Sequence, residues 1–293
     1  MLDASDWKPN QGYMEQNILM HLSKLNGLFA VRKPAGITSA KVVDRVKAAL
    51  LRDLKNAEKT EGLGGDGQAQ NAQGGSYALR ADDQKWIKLP KMGHGGTLDM
   101  NATGVLVIGC GRGTKLLSSF LQGGKVYVAQ GRLGKATDTM DASGKEVETA
   151  QFDHVTKSVF EKSLETFLGD ILQVPPVYSA LKVDGKRMSD IAASGEVVQP
   201  KAARPVKVYD LQCLRFHPPN FEIEVHCGGG FYVRKLIHDI GKSLGTCAFM
   251  TGLCRTKQGC FQLDQHALPE EKWTLEDIVK ALDEFQNMDP GVR

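Results

Sequence analysis

Gly93-His94-Gly95-Gly96-Thr97-Leu98-Asp99-Met100-Asn101-Ala102-Thr103-Gly104, followed by Val105-Leu106-Val107-Ile108, holds the densest structural information in the chain. The glycines open backbone angles closed to other residues and let a bulky ligand approach the main chain. The aliphatic run after Gly104 predicts a buried strand. Between them stands a single carboxylate, Asp99, on a loop carried by a rigid element, where reactive groups are expected. A tight turn capped by an aspartate fits the same residues, so the neighbours must decide.

Upstream, Leu28-Phe29-Ala30-Val31 predicts a short buried strand closed by the turn Lys33-Pro34-Ala35-Gly36. Thr38 or Ser39 can cap the helix that follows, whose Val42, Val43, Val46, Ala49, Leu50 and Leu54 form one apolar stripe. Residues 55–85 are rich in Gly, Asn, Gln and Asp, too polar to repay the entropy of ordering, and predict a disordered insertion.

Downstream, Tyr127 to Leu133 predicts a second strand, and Val159, Phe160, Leu164, Phe167 and Leu168 a helix stopped at Gly169. Phe221, Ile223 and Val225 alternate with Glu222, Glu224 and His226, the mark of a half-buried antiparallel strand. A helix with Leu236, Ile237, Ile240 and Leu244 inward then ends at Gly245. Thr274 and Asp277 start a last helix, stapled by Trp273 and Ile278. Strands and helices in irregular order predict an α+β fold.

The 293 residues, 41% hydrophobic and 24% charged, suit one large domain or two small ones. Without an apolar run of spanning length, nothing supports a membrane role. Met1 to Lys24 contains Asp3, Asp6 and Glu15 and no apolar signal core, unlike a secretory peptide. The six cysteines never fall at C-x-x-C spacing and the seven histidines never at H-x-x-x-H, so neither a disulfide framework nor a metal site is expected. Buried thiols in a reducing compartment fit better. A net charge of +3 says little about nucleic acid, but from Lys182 to Lys257 twelve Lys or Arg stand against seven Asp or Glu. Such a stretch can neutralise several phosphates, or serve as a solvated face.

Gly109-Cys110-Gly111-Arg112-Gly113-Thr114-Lys115 invites a phosphate-loop reading but lacks its spacing, and Thr114 more simply caps a short helix through Leu116, Leu117 and Phe120. Arg234 closes Cys227-Gly228-Gly229-Gly230-Phe231-Tyr232-Val233 at a strand-to-helix junction. Its guanidinium can fork onto a carboxylate, and on Asp99 would orient it and favour its charged form. A surface cation or a phosphate contact fits equally. Tyr127, at a strand start, reads alone as an amphipathic core residue. Pro175 to Lys182 is extended and leads into Lys186, Arg187, Lys201, Arg204 and Lys207, a basic protrusion suited to RNA or a solvated hairpin.

Taken in order, these segments resemble the TruB family of tRNA pseudouridine synthases, its eukaryotic members in particular. The likeness is collinear from about Gly27 to Pro269, apart from the insertion. It runs through Lys33 to Ser39, Gly93 to Asp99, Ala102 to Gly104, Arg132 to Thr139, Pro175 to Lys182, Gly230 to Arg234 and Leu253-Cys254-Arg255-Thr256. It implies a pseudouridine synthase fold, a mixed and largely antiparallel sheet flanked by helices. Its parts are an extension at 1–26, a catalytic domain at 27–270 with an RNA-binding thumb loop at 178–207, and a C-terminal helix and tail at 271–293.

The resemblance implies Asp99 as the catalytic aspartate, Tyr127 stacking on the uracil and Arg234 pairing with the aspartate. It implies His94 holding the flipped nucleotide, Tyr232 and Leu253 lining the pocket, and Lys182, Lys186 and Arg187 meeting the RNA. The implied substrate is U55 in the T-loop of tRNA, with T-loop-like stem-loops of mRNA as further targets. The implied enzyme is a monomer without metal or organic cofactor, in nucleus or cytoplasm, with mitochondria a further location. Two departures stand out. The loop reads His-Gly-Gly-Thr where bacterial members have His-Thr-Gly, and the chain ends soon after Phe285, leaving no room for their C-terminal PUA domain. The rival reading is a non-catalytic RNA-binding protein or tRNA-folding chaperone of the same fold. A metal-free hydrolase acting through Asp99 leaves the basic segment unexplained.

Overall fold

The structure, a computed structural model, describes residues 20, 22–60, 70–72, 76–80, 86–183, 185–194, 196, 199 and 201–288. Its frame is one mixed sheet. In chain order the strands are β1 (Gly27–Lys33), β2 (Gln70–Ala72), β3 (Ser76–Arg80), β4 (Trp86–Lys88), β5 (Met92–His94), β6 (Thr103–Cys110), β7 (Lys125–Leu133), β8 (Lys135–Thr137), β9 (Glu146–Thr149), β10 (Gly169–Gln173), β11 (Lys182–Val183), β12 (Lys186–Arg187), β13 (Arg204–His217), β14 (Asn220–Cys227), β15 (Ala248–Gln258), β16 (Phe261–Gln262) and β17 (Ala267–Leu268). The sheet runs β10-β13-β14-β7-β15-β6-β1-β17, with β16 beside β15 and β5 beside β6. Its pairs are antiparallel except β15 with β6 and β1 with β17.

The strand alternation has its expected cause. Phe221, Ile223 and Val225 of β14 point into an apolar layer, while Glu222, Glu224 and His226 face outward. Helix α3 (Lys157–Glu165), with Phe160 and Leu164, and helix α5 (Val233–Ser243), with Leu236, Ile237 and Ile240, cover that layer. Each such side chain taken out of water contributes roughly 1.5–3 kcal/mol before entropy is charged against it. Helix α1 (Ser39–Thr60) and helix α7 (Leu275–Met288) cover the β1/β6 half through Val42, Val46, Leu50, Leu54, Ile278 and Leu282. Thr274 caps α7 by accepting from the Asp277 amide, and Trp273 and Ile278 share its core. The C-terminal helix is therefore part of the fold's frame. Leu25, near the end of the 1–26 extension, is already buried there. Most of that extension lies outside the described residues, as does the tail beyond Met288.

Several expectations are corrected. Helix α1 continues to Thr60, and β2 and β3 lie inside the 55–85 segment read as disordered, pairing with β4 just beyond it as a small antiparallel sheet. Alternation at Tyr77 and Leu79 supplies strand character that the bulk composition hides; residues 61–69, 73–75 and 81–85 lie outside the described residues. Thr114 caps no helix, because its hydroxyl donates back to the Gly111 carbonyl within a 3-10 turn (Gly111–Leu116). Helix α2 (Leu117–Gln122) follows that turn, and two further short helices are α4 (Met188–Ala193) and α6 (Leu263–His266). Helix α3 ends at Glu165, before Phe167 and Leu168, and Gly169 takes φ +85° as β10 begins. Of the two proposed caps of α1, Thr38 is the one used, accepting from the Lys41 amide.

The parallel contact of β6 with β15 is a tight one. Gly104 sits opposite Arg255 with φ +108°, and a Cβ there would lie 2.2 Å from the Arg255 carbonyl oxygen. Only glycine fits. This fixes the base of the loop that ends in Asp99.

Candidate active site

The glycine-rich loop runs from β5 to β6 and is held by buried side chains from remote parts of the chain. Ser39 accepts from the Leu98 amide and donates to its carbonyl. Gln258 donates to the Gly95 carbonyl at 2.6 Å and Arg255 to that of Gly96 at 3.1 Å. Lys33, wholly buried, donates to the carbonyls of Pro34, Met100 and Ala102 at 2.7 to 2.9 Å. The residues on both sides of Asp99 are therefore pinned while the carboxylate stays about a third exposed, at 37%.

Burial pushes the Lys33 ammonium down to about 8; the Asp99 charge acts against this and that of Arg255 with it. As pH rises through about 8, Lys33 loses one donor and its charge, and turnover is expected to decline. Lys33→Met should remove that decline, lower the rate about tenfold through a misplaced carboxylate, and cost about 2–4 kcal/mol from stranded carbonyls. Pseudouridine formation against pH and thermal melting check this; an unchanged alkaline limb in the variant counts against it.

Asp99 meets Arg234 as the sequence suggested. Arg234, 6% exposed at the first turn of α5, places Nε 2.7 Å from Oδ2 and Nη2 3.1 Å from Oδ1 of Asp99. This two-point fork fixes the carboxylate plane. The guanidinium is itself fixed: Nη2 donates to the Tyr178 carbonyl at 2.9 Å and Nη1 to that of Thr139 at 3.2 Å. Asp141 lies 3.7 Å from Nη1 and accepts from the hydroxyls of Thr139 and Ser143. Between them Met140 holds φ +62°, at a cost on the order of 1–3 kcal/mol for a non-glycine residue. Reading the sequence missed Asp141, whose one signal was its place just after the quoted Arg132–Thr139 stretch.

Tyr127 lies on β7 in the apolar cluster that contains Leu98 and Val233, with Leu253 of β15 packed against it. Burial pushes its phenol up; the Arg255 charge and an Arg255 hydrogen bond pull the other way, while Asp99 and Cys227 add to the rise. Tyr232 precedes α5 and is held by Gln173, which accepts from its amide and donates to its carbonyl. The Arg204 guanidinium lies 5.3 Å from the Tyr232 ring centre. His94 ends β5 at the entrance to the loop.

Asp99 and Arg234 are thus paired, Tyr127 and Leu253 belong to the apolar cluster that includes Leu98, and Tyr232 stands two residues before Arg234 with its ring near Arg204. The thumb residues stand apart. Lys182 and Lys186 are exposed on the β11/β12 hairpin, where Lys182 pairs with Arg187 through the backbone. The thumb reaches the site at both its ends, through the Tyr178 carbonyl on Arg234 and through Arg204 on Tyr232 and the Gly230 carbonyl. Among the described residues no three His, Cys, Asp or Glu are grouped to hold a metal ion.

Comparison with known proteins identifies the family. The family model for the N-terminal domain of TruB family pseudouridylate synthases matches residues 84–233. That for the C-terminal domain of tRNA pseudouridylate synthase B matches residues 234–290. The chain is 47% identical over 270 residues to human pseudouridylate synthase TRUB1, covering 92% of this chain and 71% of that one. It is 34% identical to tRNA pseudouridine synthase B of Clostridium novyi over 90% of this chain and 78% of that protein. Among solved structures, a chain of a Cbf5–Nop10–Gar1 complex superposes with a TM-score of 0.56 at 25% identity, over 90% of this chain and 61% of that one. With its Asp99–Arg234 fork beside Tyr127, this chain belongs to the TruB family of pseudouridine synthases.

Proposed function

We propose that this enzyme isomerises uridine 55 in the T-loop of tRNA, with Asp99 as the nucleophile. One observation carries the reading: a partly exposed carboxylate gripped at two points by a buried guanidinium, with Tyr127 in the apolar cluster that holds their chain neighbours Leu98 and Val233. The reaction breaks the C1′–N1 bond, turns the uracil and joins C5 to C1′. It needs a charged nucleophile, a proton carrier and walls that retain the detached base. Asp99 serves as the first, by adding to C1′ or C6 or by assisting a glycal. Tyr127 stacks on the base and moves a proton. Tyr232 and Leu253 wall the site, and His94 steadies the extruded nucleotide, whose unstacking costs a few kcal/mol and least in a loop.

Recognition of a folded stem-loop by shape extends the proposed targets to mRNA stem-loops that imitate the T-arm. The thumb, with Lys182, Lys186 and Arg187, closes on the RNA backbone of a substrate bound by one copy of the enzyme. Six free cysteines suit a reducing compartment, and we place the enzyme in nucleus, cytoplasm or mitochondria. Pseudouridine mapping on unmodified tRNA and stem-loop mRNA tests the assignment. Modification at U55 is expected; modification elsewhere in the tRNA, with U55 untouched, would overturn it.

The thumb assignment has its own check. Lys182→Ala with Lys186→Ala is expected to weaken tRNA binding about three- to tenfold and to flatten the dependence of log K on log salt by one or two charges. Titrations at several salt concentrations read both; an unchanged slope removes these lysines from the interface.

A further inference from the structure

Beneath the glycine loop lies a concentration of buried positive charge that the proposed chemistry does not use. Lys33 and Arg255 are wholly buried, Lys125 is 6% exposed, and none of the three makes an ion pair with a carboxylate among the described residues. Lys33 and Lys125 spend their protons on backbone carbonyls. Arg255 differs. It donates Nε to the Val105 carbonyl at 2.8 Å and Nη2 to that of Gly96, yet its guanidinium also lies 6.0 Å from the Tyr127 ring centre. The two residues face each other across the β7/β15 ladder. A buried cation with no counter-charge costs several kcal/mol, a cost that falls when an anion forms beside it.

We propose that Arg255 is a positioning residue for proton transfer by Tyr127, compensating the negative charge that the phenol oxygen carries once its proton has left. This rests on the assignment of Tyr127 to proton transfer. The step closes without an added reagent. After C5 has joined C1′, ring carbon C5 bears both a hydrogen and the sugar, and C6 is double-bonded to N1. The phenol gives its proton to N1. The phenolate takes the C5 proton, the C5–H pair becomes the C5=C6 double bond, and the N1=C6 π pair comes to rest on N1 as its lone pair. Tyr127 ends as it began, and the uracil has lost one hydrogen at C5 and gained one at N1. The phenolate exists only between the two transfers, with Arg255 of β15 beside it. The other titratable groups facing it are Asp99 of the loop and Cys227 of β14, with Lys125 next to Arg255 and Cys227. Arg255 is the cation among them that lies directly opposite Tyr127 on the neighbouring strand.

Single-turnover rates on an unmodified tRNA transcript test this, with Arg255→Gln and Arg255→Lys each made alone and in a Tyr127→Phe background. Arg255→Gln is expected to slow the reaction about a hundredfold with tRNA affinity within threefold. Arg255→Lys, which keeps the charge but loses the hold on two carbonyls, should recover most of that loss. In the Tyr127→Phe background either change should cost less than about threefold more, because the partner is gone. Equal losses for Lys and Gln, or a full loss in the Tyr127→Phe background, would show that Arg255 acts through the loop and overturn the proposal. Tyr127→Phe at the wild-type rate would instead remove the assignment on which it rests. Should Arg255→Gln not fold, Arg255→Lys in the two backgrounds carries the same comparison.

Discussion

Asp99→Asn is expected to abolish pseudouridine formation, with a fall of at least about 10⁴ in single-turnover rate, or on the order of 5 kcal/mol of transition-state stabilisation. The amide keeps the side chain's size and can still accept from Arg234, so the site should hold its shape. What disappears is the charge and the nucleophilic oxygen pair. Arg234 would keep Asp141 at 3.7 Å and the carbonyls of Thr139 and Tyr178, so its buried charge is not stranded. Melting temperature should therefore move by only a few degrees, and tRNA affinity by a few fold. Retention of even a tenth of the wild-type rate would remove Asp99 from the chemistry.

The second large effect belongs to Arg234→Lys. Lysine keeps a positive charge, yet it cannot present two parallel donors to Asp99 while also reaching Thr139, Tyr178 and Asp141. The carboxylate would lose its fixed plane, and misplacement of this kind costs about a hundredfold in rate. Two carbonyls and a second carboxylate would be left short of donors, so some stability should go with it, about 1–3 kcal/mol for each stranded buried group. The measurement is the rate at saturating tRNA together with thermal melting. A rate within threefold of wild type would mean that the fork orients nothing that matters.

The elements that the sequence disclosed are those whose information is local. Alternation in Phe221–Val225, the helical stripe of α1, the stop at Gly245 and the Thr274 cap each need only a few consecutive residues. The Asp99–Arg234 pair was legible as chemistry, because a guanidinium at a strand-to-helix junction and a carboxylate on a glycine loop complement one another. Its supports were not. Ser39 looks like a helix cap but spans 59 residues to grip Leu98. Lys33 in a Lys-Pro turn looks solvated but is wholly buried. Arg255 and Gln258 reach the loop across about 160 residues. Periodicity describes one strand at a time and cannot say which strands meet. The sheet order, its parallel contacts and the buried cations all depend on that missing information, and β2 and β3 were hidden by a glycine-rich average.

The narrow seam where Gly104 lies against Arg255 also governs when the enzyme becomes an enzyme. Its two sides are separated by about 150 residues of chain, a contact of very high order that forms late in folding because loop closure must come first. A nascent chain that has emerged as far as Asp99, Tyr127 and Asp141 holds the carboxylate without its clamp, and even after Arg234 appears the loop still lacks its floor. A chain that stops short of β15 has neither Arg255 nor Gln258 to hold the carbonyls of Gly96 and Gly95. The loop is complete only with β15 in place between β7 and β6.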